Sequence, residues 1–187
     1  GKYPPEELVR FVARNFYAKK SSDVKILDLG CGPGACSWYL AREGFSTTGI
    51  DGSKTAISQA KILFKKEKME GTFHVMDFIK LNFLDQSFDA VIDINAIQHN
   101  PIEKVPEILD EVKRVLKSGG MLFSIIIGNG TTNESLFKKK GFIHFYKISE
   151  IKKIFKEFEI ISIEKSDRTE NNQKEKITHW MVTCRKR

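Results

Sequence analysis

The segment Asp28-Leu29-Gly30-Cys31-Gly32-Pro33-Gly34 sets three glycines behind an apolar run, with a carboxylate two residues ahead of the first. Glycine lets the backbone turn sharply and lets a ligand lie against the main chain. Such a turn at the carboxyl end of a central strand marks a small-molecule crevice. Two further acids stand at the ends of apolar runs: Asp51, followed by Gly52 and Ser53, and Asp77, followed by Phe78. A carboxylate accepts well from a vicinal diol or an amino group, and an inward acid at a strand end is costly without such partners. Capping of a turn or helix is the alternative for both. His99, in Ile97-Gln98-His99-Asn100-Pro101, is the candidate to touch a substrate or take its proton, against a plain loop histidine. His144, between Phe142 and Phe145, is a candidate for lining a substrate pocket, and Tyr3 for an aromatic lid. His74 and His179 fall inside strand patterns and read as structural.

These residues need elements to hold them. Apolar spacing after Pro4-Pro5 predicts a helix from Glu6 to Phe16. Val24 to Leu29 then reads as a strand, Ala35 to Arg42 as a helix, and Phe45 to Ile50 as a strand ending at Asp51. Ser53 is an N-cap for a helix to about Lys68, followed by the strand Thr72 to Met76. Phe88 to Ile94 is a strand, Val105 to Leu116 an amphipathic helix, Gly119-Gly120 a turn and Met121 to Ile127 a strand. Apolar strands separated by helices predict a parallel sheet covered on both faces. Beyond a polar loop from Gly128 to Gly141, a helix is expected over Ser149 to Phe158 and strands over Glu159 to Glu164 and Ile177 to Cys184. Their polar connection, Lys165 to Lys176, carries no helical pattern, which favours an antiparallel hairpin.

The glycine motif also fits a dinucleotide fingerprint, with Asp51 at the required distance. Three features favour S-adenosyl-L-methionine instead. Asp28 suits a cationic amino group and would repel pyrophosphate; Asp77-Phe78 suits an adenine; and the closing hairpin replaces a second mononucleotide-binding half. With Val24 to Gly34, Gly49-Ile50-Asp51-Gly52-Ser53, Met76-Asp77-Phe78, Ser87 to Asp93 and Arg114 to Gly120 in this order, the sequence resembles the class I S-adenosylmethionine-dependent methyltransferases. It is most similar to their small-molecule branch, the type 11/25-like enzymes, over about Val24 to Lys186. The resemblance implies an α/β, Rossmann-like, doubly wound fold with a seven-stranded, mostly parallel sheet ending in an antiparallel hairpin. It also implies that Gly30 and Gly32 line the methionine part of the cofactor with Asp28 near its ammonium. Asp51 would accept from the ribose hydroxyls beside Gly52 and Ser53, Asp77 and Phe78 would hold the adenine, and Ile94 to Ala96, including Asn95, would border the sulfonium. The product would be S-adenosyl-L-homocysteine.

Composition narrows the class. The 187 residues suit one domain spanning 1–187, with residues 1–20 a leading helix or lid and 128–147 covering the substrate. No run suits a membrane span and no signal peptide opens the chain, so a soluble cytoplasmic enzyme without membrane contacts is expected. Cys31, Cys36 and Cys184 lack the pairs of a metal site, and no metal is expected. The net charge of +7 lies wholly in residues 137–187, with 14 Lys+Arg and 7 Asp+Glu, where Lys138-Lys139-Lys140 and neighbouring aromatics could meet an anionic or planar substrate. A nucleic-acid methyltransferase is the rival this charge raises, but Asp93-Ile94-Asn95-Ala96 lacks the Pro-Pro-aromatic pattern that grips a flipped base. The acceptor is therefore expected to be a small molecule. Protein methylation, a non-catalytic cofactor-binding module and a nicotinamide oxidoreductase are the remaining alternatives, and the oligomeric state is left open.

Overall fold

The computed structural model describes residues 3–132, 134 and 142–187. A seven-stranded sheet has the order β3-β2-β1-β4-β5-β7-β6. Its strands are β1 (Lys25–Leu29), β2 (Ser46–Asp51), β3 (Thr72–Val75), β4 (Phe88–Ile94), β5 (Leu116–Ile127), β6 (Glu159–Glu170) and β7 (Glu175–Arg185). The first five pair in parallel, and β7 is antiparallel to both β5 and β6. Around them run α1 (Glu6–Phe16), α2 (Ala35–Arg42), α3 (Lys54–Glu67), α4 (Val105–Val115) and α5 (Ile148–Ile154).

Alternation along the strands divides the core in two. Ile26, Ala90, Ile92, Phe123 and Ile125 face α1, α2 and α3, meeting Leu8, Phe11, Trp38 and Phe64. Leu27, Leu29, Val91, Leu122 and Ile126 face α4 and α5, meeting Ile108, Val112 and Ile151. Both faces are dry, which explains the continuous apolar runs of β1, β4 and β5. Order reverses between β1 and β4, and the carboxyl ends of these strands open a crevice there.

Three boundaries differ from the sequence reading. Pairing with β4 already begins at Leu116, and Gly119 (φ +72°) lies in an irregular stretch of β5, where a turn was expected. The last helix stops at Ile154, with Phe155 and Phe158 buried just after it. The polar connection 165–176 is mostly strand: β6 and β7 pair continuously to Glu170 and Glu175, around Asn171, Asn172 and Gln173 at positive φ. β5 pairs with β7 only as far as His179, and among the described residues no strand pairs with the β6–β7 ribbon beyond that point except β6 and β7 with each other. Ion pairs such as Lys165–Asp167 and Arg168–Glu170 decorate it, accounting for part of the basic last quarter of the chain.

Candidate active site

The turn after β1 is built for close approach. Gly30 (φ +75°) and Cys31 both donate to the carbonyl of Ile50, at 2.8 and 2.9 Å. A Cβ on Gly30 would stand 2.2 Å from Ala96 Cβ and 3.3 Å from Phe78 Cζ, so glycine is required where the β1 turn, the β4 loop and the segment after β3 converge. Asp51 holds two turns at once, its carboxylate accepting from Gly32 N at 3.0 Å and from Ser53 N at 2.8 Å. Ser53 caps α3 by accepting from Ala56 N at 3.2 Å.

A cavity of about 670 Å³ opens on this crevice, within the range typical of ligand sites. Gly30, Asp51, Gly52, Asp77, Phe78, Asn95 and His99 all line it. Asp77 Oδ1 accepts from Ile79 N at 3.0 Å. The remaining predicted residues lie around the lining. Asp28 is buried beneath the turn, where it accepts from Ser37 Oγ of α2 at 2.6 Å, and burial pushes its carboxyl up to about 7. Gly32 is tied to Asp51, Ser53 begins α3 and Ile94 ends β4. Tyr3 is exposed and packs edge-on to Trp38, 6.2 Å between ring centroids. His144 turns to Glu150 (Nε2 to Oε1, 3.2 Å) and lies edge-on to Tyr146. The triple lysine at 138–140 lies outside the described residues.

The β4 loop has an organiser that the sequence reading left without a role. Asp93 is fully buried, accepts from Ala96 N at 2.9 Å, Ile97 N at 3.0 Å and Ser124 Oγ, and is pushed up to about 6 by burial. It fixes a turn in which Asn95 takes φ +61°, unusual for a residue with a side chain. The amide oxygen of Asn95, Oδ1, is buried with no hydrogen-bond partner among the described residues. His99 is exposed, its Nδ1 3.1 Å from the carbonyl of Phe142. A carbonyl only accepts, so in the neutral ring the proton sits on Nδ1 and Nε2 keeps a free lone pair.

Asn95 and His99 also border a second cavity, of about 450 Å³, on the α1 face of the sheet. Ile125, Ile127, Ile177 and Met181 give it apolar walls; Glu7 of α1, Arg168 of β6 and His179 of β7 give it charge and titratable groups. His179 sits in a strand as predicted, yet it faces this cavity. Burial, then Arg168, holds its imidazole below the usual histidine value, with Glu7 acting in the opposite direction. No spacing signal joins Glu7 to the other two, because it lies in α1, more than 150 residues before Arg168 and His179 of the β6–β7 hairpin.

Catalytic chemistry by thiolate is not favoured here, since burial pushes Cys31, Cys36 and Cys184 well up. Among the described residues no cluster of three His, Cys, Asp or Glu side chains could hold a metal, and no helix is long and apolar enough to cross a membrane.

A parallel sheet closed by an antiparallel strand pair, with a glycine turn and acids at the ends of β1 and β2, defines a doubly wound α/β fold whose ligand crevice lies at the carboxyl ends of its strands. Residues 26–120 match the methyltransferase domain family, and the chain belongs to it. Its fold is shared with S-adenosylmethionine-dependent methyltransferases of known structure. The chain is 28% identical over 171 residues to the ubiquinone biosynthesis O-methyltransferase of Pelagibacter ubique, covering 89% of this chain and 70% of that protein. It is 33% identical over 114 residues to a sterol 24-C-methyltransferase of Gibberella zeae, covering 59% of this chain and only 29% of the fungal protein. The crystal structure of a SAM-dependent methyltransferase from Methanosarcina mazei shares the fold with a TM-score of 0.75 at 24% identity, over 87% of this chain and 92% of that one.

Proposed function

We propose that the first cavity holds S-adenosyl-L-methionine, released as S-adenosyl-L-homocysteine, and that the second holds a small-molecule acceptor to which the methyl group passes in line. The observation that carries this reading is that Asn95 and His99 line both cavities, so a methyl donor in one faces a nucleophile in the other. The residues present suit that cofactor. Asp51 spends one lone pair of each oxygen on a backbone N–H and keeps the others for the ribose hydroxyls, beside Gly52 and Ser53. Asp77 keeps Oδ2 for the adenine amino group, and Phe78 offers a face to the ring. Gly30 and Gly32 leave room for the methionine part. Asp28, under that turn, favours its proton until a cation such as the cofactor ammonium approaches. Ile94 and the unpartnered Oδ1 of Asn95 border the reacting end.

When bound, the sulfonium supplies a good leaving group, so the protein's task is orientation and exclusion of water. Asp93 serves orientation by holding the Asn95 turn from below. His99 offers Nε2 to the acceptor. Pro5 and Glu7 from the leading segment and Ile143 from the 128–147 segment wall the second cavity, consistent with covering roles for both, while Tyr3 shields the α2 side against Trp38. His144 supports this wall through Glu150 rather than through the cavity itself. The size of the second cavity, and the ubiquinone-pathway and sterol relatives, support a small-molecule acceptor over RNA or protein. Free cysteines support work in the reducing cytoplasm.

A thermal-shift titration tests the assignment: S-adenosyl-L-homocysteine should raise the melting temperature and NAD should not. Stabilisation by NAD alone would reject it.

A further inference from the structure

Arg168 and His179 line the second cavity without a part in the proposed function, and Glu7 of its wall shares that lining. The geometry points to His179, which shares the cavity lining with Arg168 and Glu7, as the base that activates the acceptor, and to an acceptor that presents a phenol-like hydroxyl on a flat apolar body. This deepens the two-cavity reading and rests on it.

His179 lies where β7 passes between Ile127 of β5 and Ser166 of β6, and its ring makes no hydrogen bond to any described residue. The imidazole is therefore open to the cavity. Burial and the charge of Arg168 keep it uncharged near neutrality, as a base must be; Glu7, from α1 on the facing wall, stabilises the imidazolium once it forms. His99, on the wall shared with the first cavity, is the other titratable neighbour, and Glu170 is paired with Arg168 at 2.5 Å.

The surrounding charges select the acceptor. A carboxylate or phosphate needs no base and would meet Glu7. An ammonium would meet Arg168, whose field at His179 outweighs that of Glu7. A neutral hydroxyl meets neither penalty, and negative charge growing on its oxygen is drawn toward Arg168. Imidazole lies within a few pKa units of a phenol at about 10 and far from an aliphatic alcohol, so the phenolic class matches this base. Ile125, Ile127, Ile177 and Met181 supply flat apolar contact.

The step balances without redox chemistry. One ring nitrogen of His179 takes the hydroxyl proton and the O–H electron pair stays on oxygen. That oxygen forms the new bond to the methyl carbon while the carbon–sulfur pair returns to sulfur. The products are a methyl ether, an uncharged thioether and an imidazolium that releases its proton to solvent.

The experiment uses catechol and 4-nitrophenol as acceptor probes. In the wild-type protein, the His179 resonance, identified by its loss in His179→Gln, should titrate below an ordinary histidine. It should move when 4-nitrophenol is added to protein saturated with S-adenosyl-L-homocysteine. Catechol methylation by His179→Gln should fall about 10²–10⁴-fold in kcat at neutral pH, with KM and S-adenosyl-L-homocysteine affinity within twofold of wild type. Its residual rate should climb with pH where the wild-type rate levels off. Glu7→Gln should shift the acid limb of the wild-type profile to lower pH. An unchanged kcat and pH profile in His179→Gln, a His179 resonance indifferent to 4-nitrophenol, or failure of both phenols to bind at millimolar concentration would each overturn the proposal. Failure of S-adenosyl-L-homocysteine to bind wild type would instead overturn the two-cavity reading beneath it.

Discussion

At the scale of single residues, the site is a set of carboxylates with different duties. Asp51 is the one whose oxygens both lie near ligand space and both carry a backbone bond. Asp51→Ala should weaken S-adenosyl-L-homocysteine binding by about 1–3 kcal/mol, or about five- to 150-fold, by calorimetry; undiminished affinity would place the ribose elsewhere. Asp28, Asp51 and Asp77 were conspicuous in the sequence because each follows an apolar run and has a glycine or an aromatic residue within the next two positions. Asp93 was not, although it stands in an equally apolar strand. Its role is to accept three donors, two from its own loop and one from Ser124 on the neighbouring strand, and that last partner is set by register rather than by spacing.

At the scale of elements, the parallel half was readable since burial on both faces imprints apolar runs on β1, β4 and β5. The β6–β7 ribbon was half readable. Its base packs on the core and shows the pattern, while its tip, beyond the reach of β5, is polar strand held by main-chain pairing that leaves no hydrophobic signature. The tip turn depends on Asn171, Asn172 and Gln173 in left-handed conformation, which asparagine tolerates better than most residues. Asn172→Ala should cost about 1 kcal/mol in urea unfolding and leave cofactor affinity unchanged. A loss of affinity would mean that the ribbon tip communicates with the first cavity.

At the scale of the whole molecule, two buried carboxyls on opposite faces of one sheet govern how stability responds to pH. Asp28 and Asp93 release their protons near 7 and 6 in the folded chain, against about 4 when unfolded. Between about pH 4 and pH 7 the folded state therefore holds more protons than the unfolded state, and the contribution of these groups to stability declines as pH rises. Asp28→Asn removes one of them while retaining an acceptor for Ser37. Its stability relative to wild type should increase from pH 4 to pH 8 in paired denaturant titrations, while its affinity for S-adenosyl-L-homocysteine should fall. A pH-independent difference would show that Asp28 is already ionised in the folded protein.

The sequence by itself determined the order of strands and helices, the glycine turn and the acids that end β1, β2 and the segment after β3, because each is written in contiguous residues by periodicity or by a local backbone need. Tertiary structure alone decided what lines the second cavity. Glu7 comes from α1, far in sequence from the β6–β7 hairpin that carries Arg168 and His179, and their meeting follows from β7 inserting antiparallel between β5 and β6 with α1 lying across that face. Local pattern records whether a side chain is buried, but the partner it meets across a cavity depends on pairing over long separations, for which a single sequence carries no period.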